Sequence, residues 1–109
     1  MILSEKIKTL TKYKLWADEI TYSTVANLPS GEATKNRKTR FGNIVHTLNH
    51  IYVIDDVFKA HMLGKCHSYT ERNTKTSPAL QELWEMQRQI NEWYVEYAES
   101  ASEESLDQV

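Results

Sequence analysis

Hydrophobic side chains recur at steps of three and four residues over three long stretches of the chain, which is the period of an amphipathic α-helix. This pattern predicts helices over residues 3–27, 41–64 and 78–101. The few prolines and glycines fall between these stretches or at their ends, where they are expected to begin or end helices and to form loops. The sequence therefore predicts an all-α protein with three long helices.

The three predicted helices differ in how their apolar positions are arranged. The first has one stripe opposite most of its charged residues, and we expect its large aromatic side chains to lie in the core. The second is apolar around much of its circumference, so we expect it to be the most buried. The stripe of the first helix comprises Leu3, Ile7, Leu10, Tyr13, Trp16, Ala17, Ile20 and Thr24, and that of the third comprises Leu80, Leu83, Gln87, Ile90, Tyr94, Tyr97 and Ala101.

Connections of about ten residues between long helices favour an antiparallel up-and-down bundle, and we expect one domain over residues 1–109. Three helices of this breadth leave apolar surface that a fourth helix or a second copy of the chain would cover. We therefore expect a homodimer.

Charge and composition exclude some classes of partner. The net charge of −2 gives no support to nucleic-acid binding. No apolar stretch is long enough to span a membrane, and the N-terminus lacks the apolar core of a signal peptide, so we expect a cytoplasmic protein. Residues 32–40 contain four basic side chains. They are interpreted either as a solvated loop or as a rim that attracts an anionic substrate.

His46 and His50 are the chemically suggestive pair. They lie four residues apart, so they share one face of the second helix with Cβ atoms about 6 Å apart. This spacing suits two ligands of one divalent ion. Thr47 stands where zinc proteases carry a glutamate, so that chemistry is not indicated. The alternative is a structural role, in which both rings bond neighbouring groups.

Asp55 is unusual because it lies within an apolar stripe, between Ile51 and Phe58. A carboxylate there is costly unless it is hydrogen-bonded or paired. One interpretation is that it orients a metal ligand; the other is that it bonds a tryptophan, tyrosine or arginine on the facing helix.

Several short segments resemble the DinB/YfiT-like family of helical bundles. Residues 13–18 (YKLWAD) are similar to the family's Tyr-x-x-Trp-Ala-Asn element, with Asp18 in place of asparagine. Residues 41–44 (FGNI) and 48–51 (LNHI) continue the likeness. The family pattern of a histidine, an aspartate five residues later, an aromatic eight later and a glycine fourteen later is matched by His50, Asp55, Phe58 and Gly64.

The resemblance implies a four-helix bundle in which one histidine of helix two and two of the last helix bind a divalent metal, zinc or nickel. His50 matches the helix-two ligand, whereas His46 does not match a usual ligand. The histidine pair of helix four has no counterpart before Val109, so we expect a C-terminally incomplete domain and an incomplete metal site.

Two functional hypotheses follow. The first, implied by the resemblance, is a metal-dependent transferase acting on a small-molecule thiol. The second is a non-enzymatic bundle that self-associates or binds a partner protein.

Overall fold

The computed structural model describes residues 3–106 and confirms the all-α architecture. Three long helices, α1 (Leu3–Ala26), α2 (Ile44–Met62) and α3 (Leu80–Ser100), are followed by the short α4 (Glu103–Leu106). None of the helices described in this range is long and apolar enough to cross a membrane.

The helix ends follow local capping chemistry. Helix α2 begins at Ile44 rather than at residue 41, because the Asn43 side-chain oxygen accepts a hydrogen bond from the His46 backbone N–H at 2.7 Å. It ends before Gly64, whose φ of +67° lies in the left-handed region that favours glycine. Helix α3 begins two residues later than predicted, and Ala79 occupies its N-cap position without a side-chain cap.

The directions of the helices differ from strict up-and-down alternation. Asn91 of α3 bonds Asp18 of α1, and Trp84 packs on Tyr22, so α1 and α3 are antiparallel. Asp55 bonds Gln87, and further along both helices Lys59 lies over Trp93, so α2 and α3 run in the same direction. The connecting residues 63–79 can return along α2, because an extended chain covers more than twice the length per residue of a helix.

Helix α3, rather than α2, is the central helix. Its backbone closely approaches those of both α1 and α2, whereas α1 and α2 do not approach each other in this way. The prediction that α2 would be the most buried helix agrees with its exposure, since four of its 19 residues are exposed against nine of the 21 residues of α3. The apolar core lies where the three helices meet and comprises Tyr22, Val45, Leu48 and Leu83.

Much of the apolar stripe of helix α1 faces solvent instead of the core. Five large side chains of that stripe are exposed, Leu3 at the start of the helix and four further along it, and the buried residues of α1 are Ser4 and Tyr22. We call the four exposed residues after Leu3 the outer face of α1: Leu10, Tyr13, Trp16 and Ile20. The expectation that the aromatic residues of this stripe lie in the core is therefore wrong for Tyr13 and Trp16.

The short helix α4, which the sequence pattern did not predict, closes one end of the bundle. Its Glu103 carboxylate accepts a hydrogen bond from the Ser4 backbone N–H at 2.6 Å. Backbone N–H groups in the first turn of a helix lack partners within the helix, and the helix dipole favours a negative charge there. Glu103 therefore stabilises the start of α1.

Candidate functional site

The two candidate ligands, His46 and His50, lie one turn apart on the same side of α2, and both are held by the loop of residues 63–79. The His46 Nδ1 atom lies 2.6 Å from the Ser77 hydroxyl oxygen. The His50 Nδ1 atom lies 2.6 Å from the Arg72 backbone oxygen. Both rings therefore have a structural partner.

The contact with Arg72 determines which nitrogen of His50 carries the proton. A backbone carbonyl can only accept a hydrogen bond, so Nδ1 must be the donor. In the neutral imidazole Nε2 then keeps its lone pair. A ring held through Nδ1–H to a carbonyl is the arrangement commonly found for histidines that bind metals through Nε2.

Buried amides fix the same loop to α2. Asn49 is only 2% exposed, and its amide nitrogen donates to the Asn73 side-chain oxygen and to the Thr74 hydroxyl, both at 2.6 Å. The Asn73 amide in turn donates to the His46 backbone oxygen at 2.9 Å. These bonds keep Arg72 and Ser77 in position beside the two histidines.

Phe41 provides the apolar contact to the pair. Its ring stacks on His50, with centroids 4.5 Å apart, and meets His46 edge-on at 6.0 Å. The Arg40 guanidinium carbon lies over the Phe41 ring, 5.8 Å from its centroid. An aromatic side chain that touches both rings restricts their rotation.

The described residues do not complete a metal site around His50. Within residues 3–106, no group of three or more histidine, cysteine, aspartate or glutamate side chains is placed to hold a metal ion. A metal ion in a protein usually needs three or four protein ligands. His61 and His67 form a separate pair, with ring centroids 5.9 Å apart.

Asp55 faces the bundle interior, and its described hydrogen bonds do not involve His50. Its Oδ2 accepts from the Gln87 amide at 2.8 Å and lies 3.0 Å from the Lys14 ammonium. Its backbone oxygen accepts from the Tyr94 hydroxyl at 2.6 Å. These contacts are those of a carboxylate bonded to the facing helices.

Asp55 belongs to a polar network that joins all three long helices. Gln87 also donates to Asn91 at 2.9 Å, and Asn91 donates to Asp18 at 2.8 Å. Lys14 completes the network, since its ammonium lies 2.9 Å from the Asp18 carboxylate as well as beside Asp55. We call this set the interior network: Lys14, Asp18, Asp55, Gln87 and Asn91.

The interior network shifts the titration of the groups around it. Burial lowers the pKa of Lys14, but hydrogen bonding to Asp18 and the charges of both carboxylates outweigh that effect, so its pKa is raised. Burial, and then the charges of Asp18 and Asp55, raises the pKa of the Tyr22 phenol well above its ordinary value. The Tyr22 hydroxyl is buried and has no hydrogen-bond partner among the described residues.

Sequence reasoning singled out Asp55 but did not predict its partners. A signal was present: Gln87 lies within the apolar stripe of α3, and Asn91 is one turn further on. Polar side chains at core positions of two helices imply that they bond each other, because a buried polar group without a partner is costly. Lys14 and Asp18 gave no such signal, since they lie on the predicted polar side of α1.

The comparisons with known proteins identify the family. The family model described as "DinB family" matches residues 3–109, which is nearly the whole chain. No curated protein and no solved structure gave a significant match. The family match agrees with the helical bundle seen here and with the similarity of residues 13–18 and of the segment around His50 to the family pattern. The chain therefore belongs to the DinB family.

Proposed function

We propose that this DinB-family bundle acts as a binding protein whose partner is a second copy of the chain, bound through the outer face of α1. The observation behind this proposal is the distribution of exposed apolar side chains. Leu10, Tyr13 and Trp16 are 64%, 61% and 57% exposed, whereas among the described residues α3 carries no large apolar side chain that is exposed. An exposed patch of large apolar side chains marks an interaction site.

The outer face of α1 has the composition of an interface centre. Tyr13 and Trp16 lie against each other with ring centroids 5.7 Å apart. Tyrosine and tryptophan are enriched in the centres of interfaces and contribute strongly to binding. Each buries about 150–250 Å² when fully covered, so the face supplies the apolar centre of an interface of roughly 800 Å² per partner.

A second copy of the chain is the occupant that fits this face best. The positions of α1 that lie beside this face are mostly uncharged: Thr9, Ala17 and Thr24. The charge on this side of the helix is that of Lys6, near the start of α1. Two such faces related by a two-fold axis and packed antiparallel bring Lys6 of one copy near Thr24 of the other. Like charges are thereby kept apart, and two-fold dimers are the commonest oligomers.

Sedimentation equilibrium from low to high micromolar concentration tests this proposal. We expect a reversible dimer with a Kd on the order of 1–100 μM. Trp16→Lys should raise that Kd by roughly 30-fold or more, because a central aromatic is replaced by a charge. Gln89→Lys, which adds the same charge at an exposed position of α3, is the matched control and should leave the Kd unchanged. A strict monomer, or equal effects of the two substitutions, would contradict the proposal.

Metal binding by His50 is a second candidate, because its Nε2 atom keeps a lone pair while Nδ1 is held by the Arg72 carbonyl. Residues 3–106 supply His50 but not a full set of ligands, so the metal-dependent thiol transfer that the family resemblance implies would need ligands beyond this group.

Titration calorimetry with zinc or nickel tests the second candidate. His50→Ala should remove stoichiometric binding, whereas His61→Ala, at the other end of α2, should not. Binding that depends on His61 instead would place the metal elsewhere, and its absence from the wild-type chain would rule out this candidate for residues 1–109.

A further inference from the structure

A large cleft lies at the end of the bundle where α1 ends and where α2 and α3 begin. It has a volume of about 740 Å³, within the range of about 300–1,000 Å³ that is typical of small-molecule sites. Its apolar wall comes from the last turn of α1 and the residues after it, from the residues around the start of α2, and from the first residue of α3. The apolar residues of this wall are Val25, Leu28, Phe41, Val45 and Leu80.

Lys75 supplies the charge among the residues that line this cleft, and no aspartate or glutamate lines it. Among the ion pairs of residues 3–106 none involves Lys75, so its ammonium is not neutralised by a described carboxylate. The hydroxyls of Ser30, Thr34 and Thr76 also line the cleft and can donate hydrogen bonds.

His46 adds a polar group to the apolar wall. Its Nδ1 atom is engaged by Ser77, which also lines the cleft, and Phe41 restricts the ring from its edge. The basic residues of the loop before α2 do not supply the charge here. None of Lys35, Arg37, Lys38 and Arg40 lines the cleft, and Arg37 is paired with Glu32 at 2.9 Å.

We propose that this cleft binds a small amphipathic organic anion, with its acidic group beside Lys75 and its apolar body against Val45, Phe41 and Leu80. A site with an apolar wall, one unneutralised cation and several hydroxyl donors, but no carboxylate, favours an anion over a neutral or cationic ligand of the same shape. This proposal does not depend on self-association, since the cleft and the outer face of α1 have no residue in common.

The test uses 4-phenylbutyrate as the probe and 4-phenylbutan-1-ol as its uncharged counterpart, followed by ¹H–¹⁵N correlation spectra of the wild-type chain. We expect saturable shifts at cleft residues with a Kd on the order of 1 mM for the carboxylate, because the probe has few atoms. The alcohol should bind roughly 10-fold more weakly, and added salt should weaken only the carboxylate.

Two lysine variants locate the anion. Lys75→Glu should weaken binding of 4-phenylbutyrate by 10-fold or more, since it replaces an attractive charge with a repulsive one. Lys65→Glu makes the same charge change at an exposed loop position outside the cleft, and should have little effect. Equal effects of the two variants, equal affinity for acid and alcohol, or shifts confined to the outer face of α1 would each overturn the proposal.

Discussion

Helices α1 and α3 pack against each other, yet they use their apolar residues in opposite ways. Helix α3 buries Leu83, Ile90 and Ala98 and leaves its polar side in solvent. Helix α1 turns Lys14 and Asp18 towards the bundle and leaves Tyr13 and Trp16 exposed. The difference shows that an apolar stripe predicts a helix more reliably than it predicts the side of the helix that is buried.

The interior network gives the physical reason for this orientation. Gln87 and Asn91 lie at the centre of α3 and are each 1% exposed, so their amides require partners. Asp18 of α1 accepts from Asn91, and this bond is available only when the polar side of α1 faces inward. The apolar stripe of α1 is then left on the outside, where we propose that a second copy covers it.

The largest expected effect on stability comes from comparing one substitution, leucine to alanine, made separately in α3 and in α1. Leu83→Ala should lower the free energy of unfolding by about 2–5 kcal/mol, because Leu83 is fully buried and the change leaves a cavity. Leu10→Ala should lower it by less than about 0.5 kcal/mol, because that side chain is 64% exposed. Urea unfolding at low protein concentration, where a dimer is dissociated, measures both.

A result in which Leu10→Ala costs as much as Leu83→Ala would break this comparison. It would mean that the outer face of α1 is buried within the folded monomer.

Much of the fold could be predicted from the sequence because the three-to-four-residue period is a local property. The three long helices were predicted to within about three residues of their ends, and the differences arise from single caps such as Asn43. The relative direction of α2 and α3 could not be predicted in this way. It depends on the course of residues 63–79, which amides such as Asn49 and Asn73 fix through contacts distant in sequence.

The candidate site was less predictable for a similar reason. Helical spacing placed His46 and His50 on one side of α2, as the structure has them, and marked Asp55 as unusual. The partners of all three residues lie on other elements: Ser77 and Arg72 in the loop, and Gln87 on α3. Metal ligation by His50 and His46 stays a prediction.

The interior network should contribute less to the free energy of unfolding than the apolar core does. Asp55→Ala should lower the free energy of unfolding by about 1–3 kcal/mol, because the buried Gln87 amide loses an acceptor. Lys14 contributes less to this loss, since its side chain is 34% exposed and water screens its charge. Asp55→Asn keeps an acceptor for Gln87 and should cost less than Asp55→Ala.

A double-mutant cycle with Lys14→Met separates the two contacts of Asp55. We expect Asp55→Ala to cost less in the Lys14→Met background than in the wild type. Strictly additive losses would show that Lys14 and Asp55 do not stabilise each other, and would leave the Gln87 bond as the reason for the inward carboxylate.

A small effect on stability at neutral pH is expected at Tyr22, the buried aromatic residue of α1. Its hydroxyl has no described partner, so Tyr22→Phe should change the free energy of unfolding by less than about 1 kcal/mol, and in the stabilising direction if water does not reach the hydroxyl.

Burial and the charges of Asp18 and Asp55 raise the pKa of Tyr22. The contribution of this phenol to stability is therefore complete below the unfolded pKa near 10 and is lost as the pH rises through the folded value. Urea unfolding at neutral pH and at about pH 11 should therefore show a smaller alkaline loss for Tyr22→Phe than for the wild type, with Tyr13→Phe on the exposed side of the same helix as the control. An alkaline loss that is identical in wild type and Tyr22→Phe would show that the carboxylates of the interior network do not act on this phenol, and that the inward side of α1 is less enclosed than its contacts indicate.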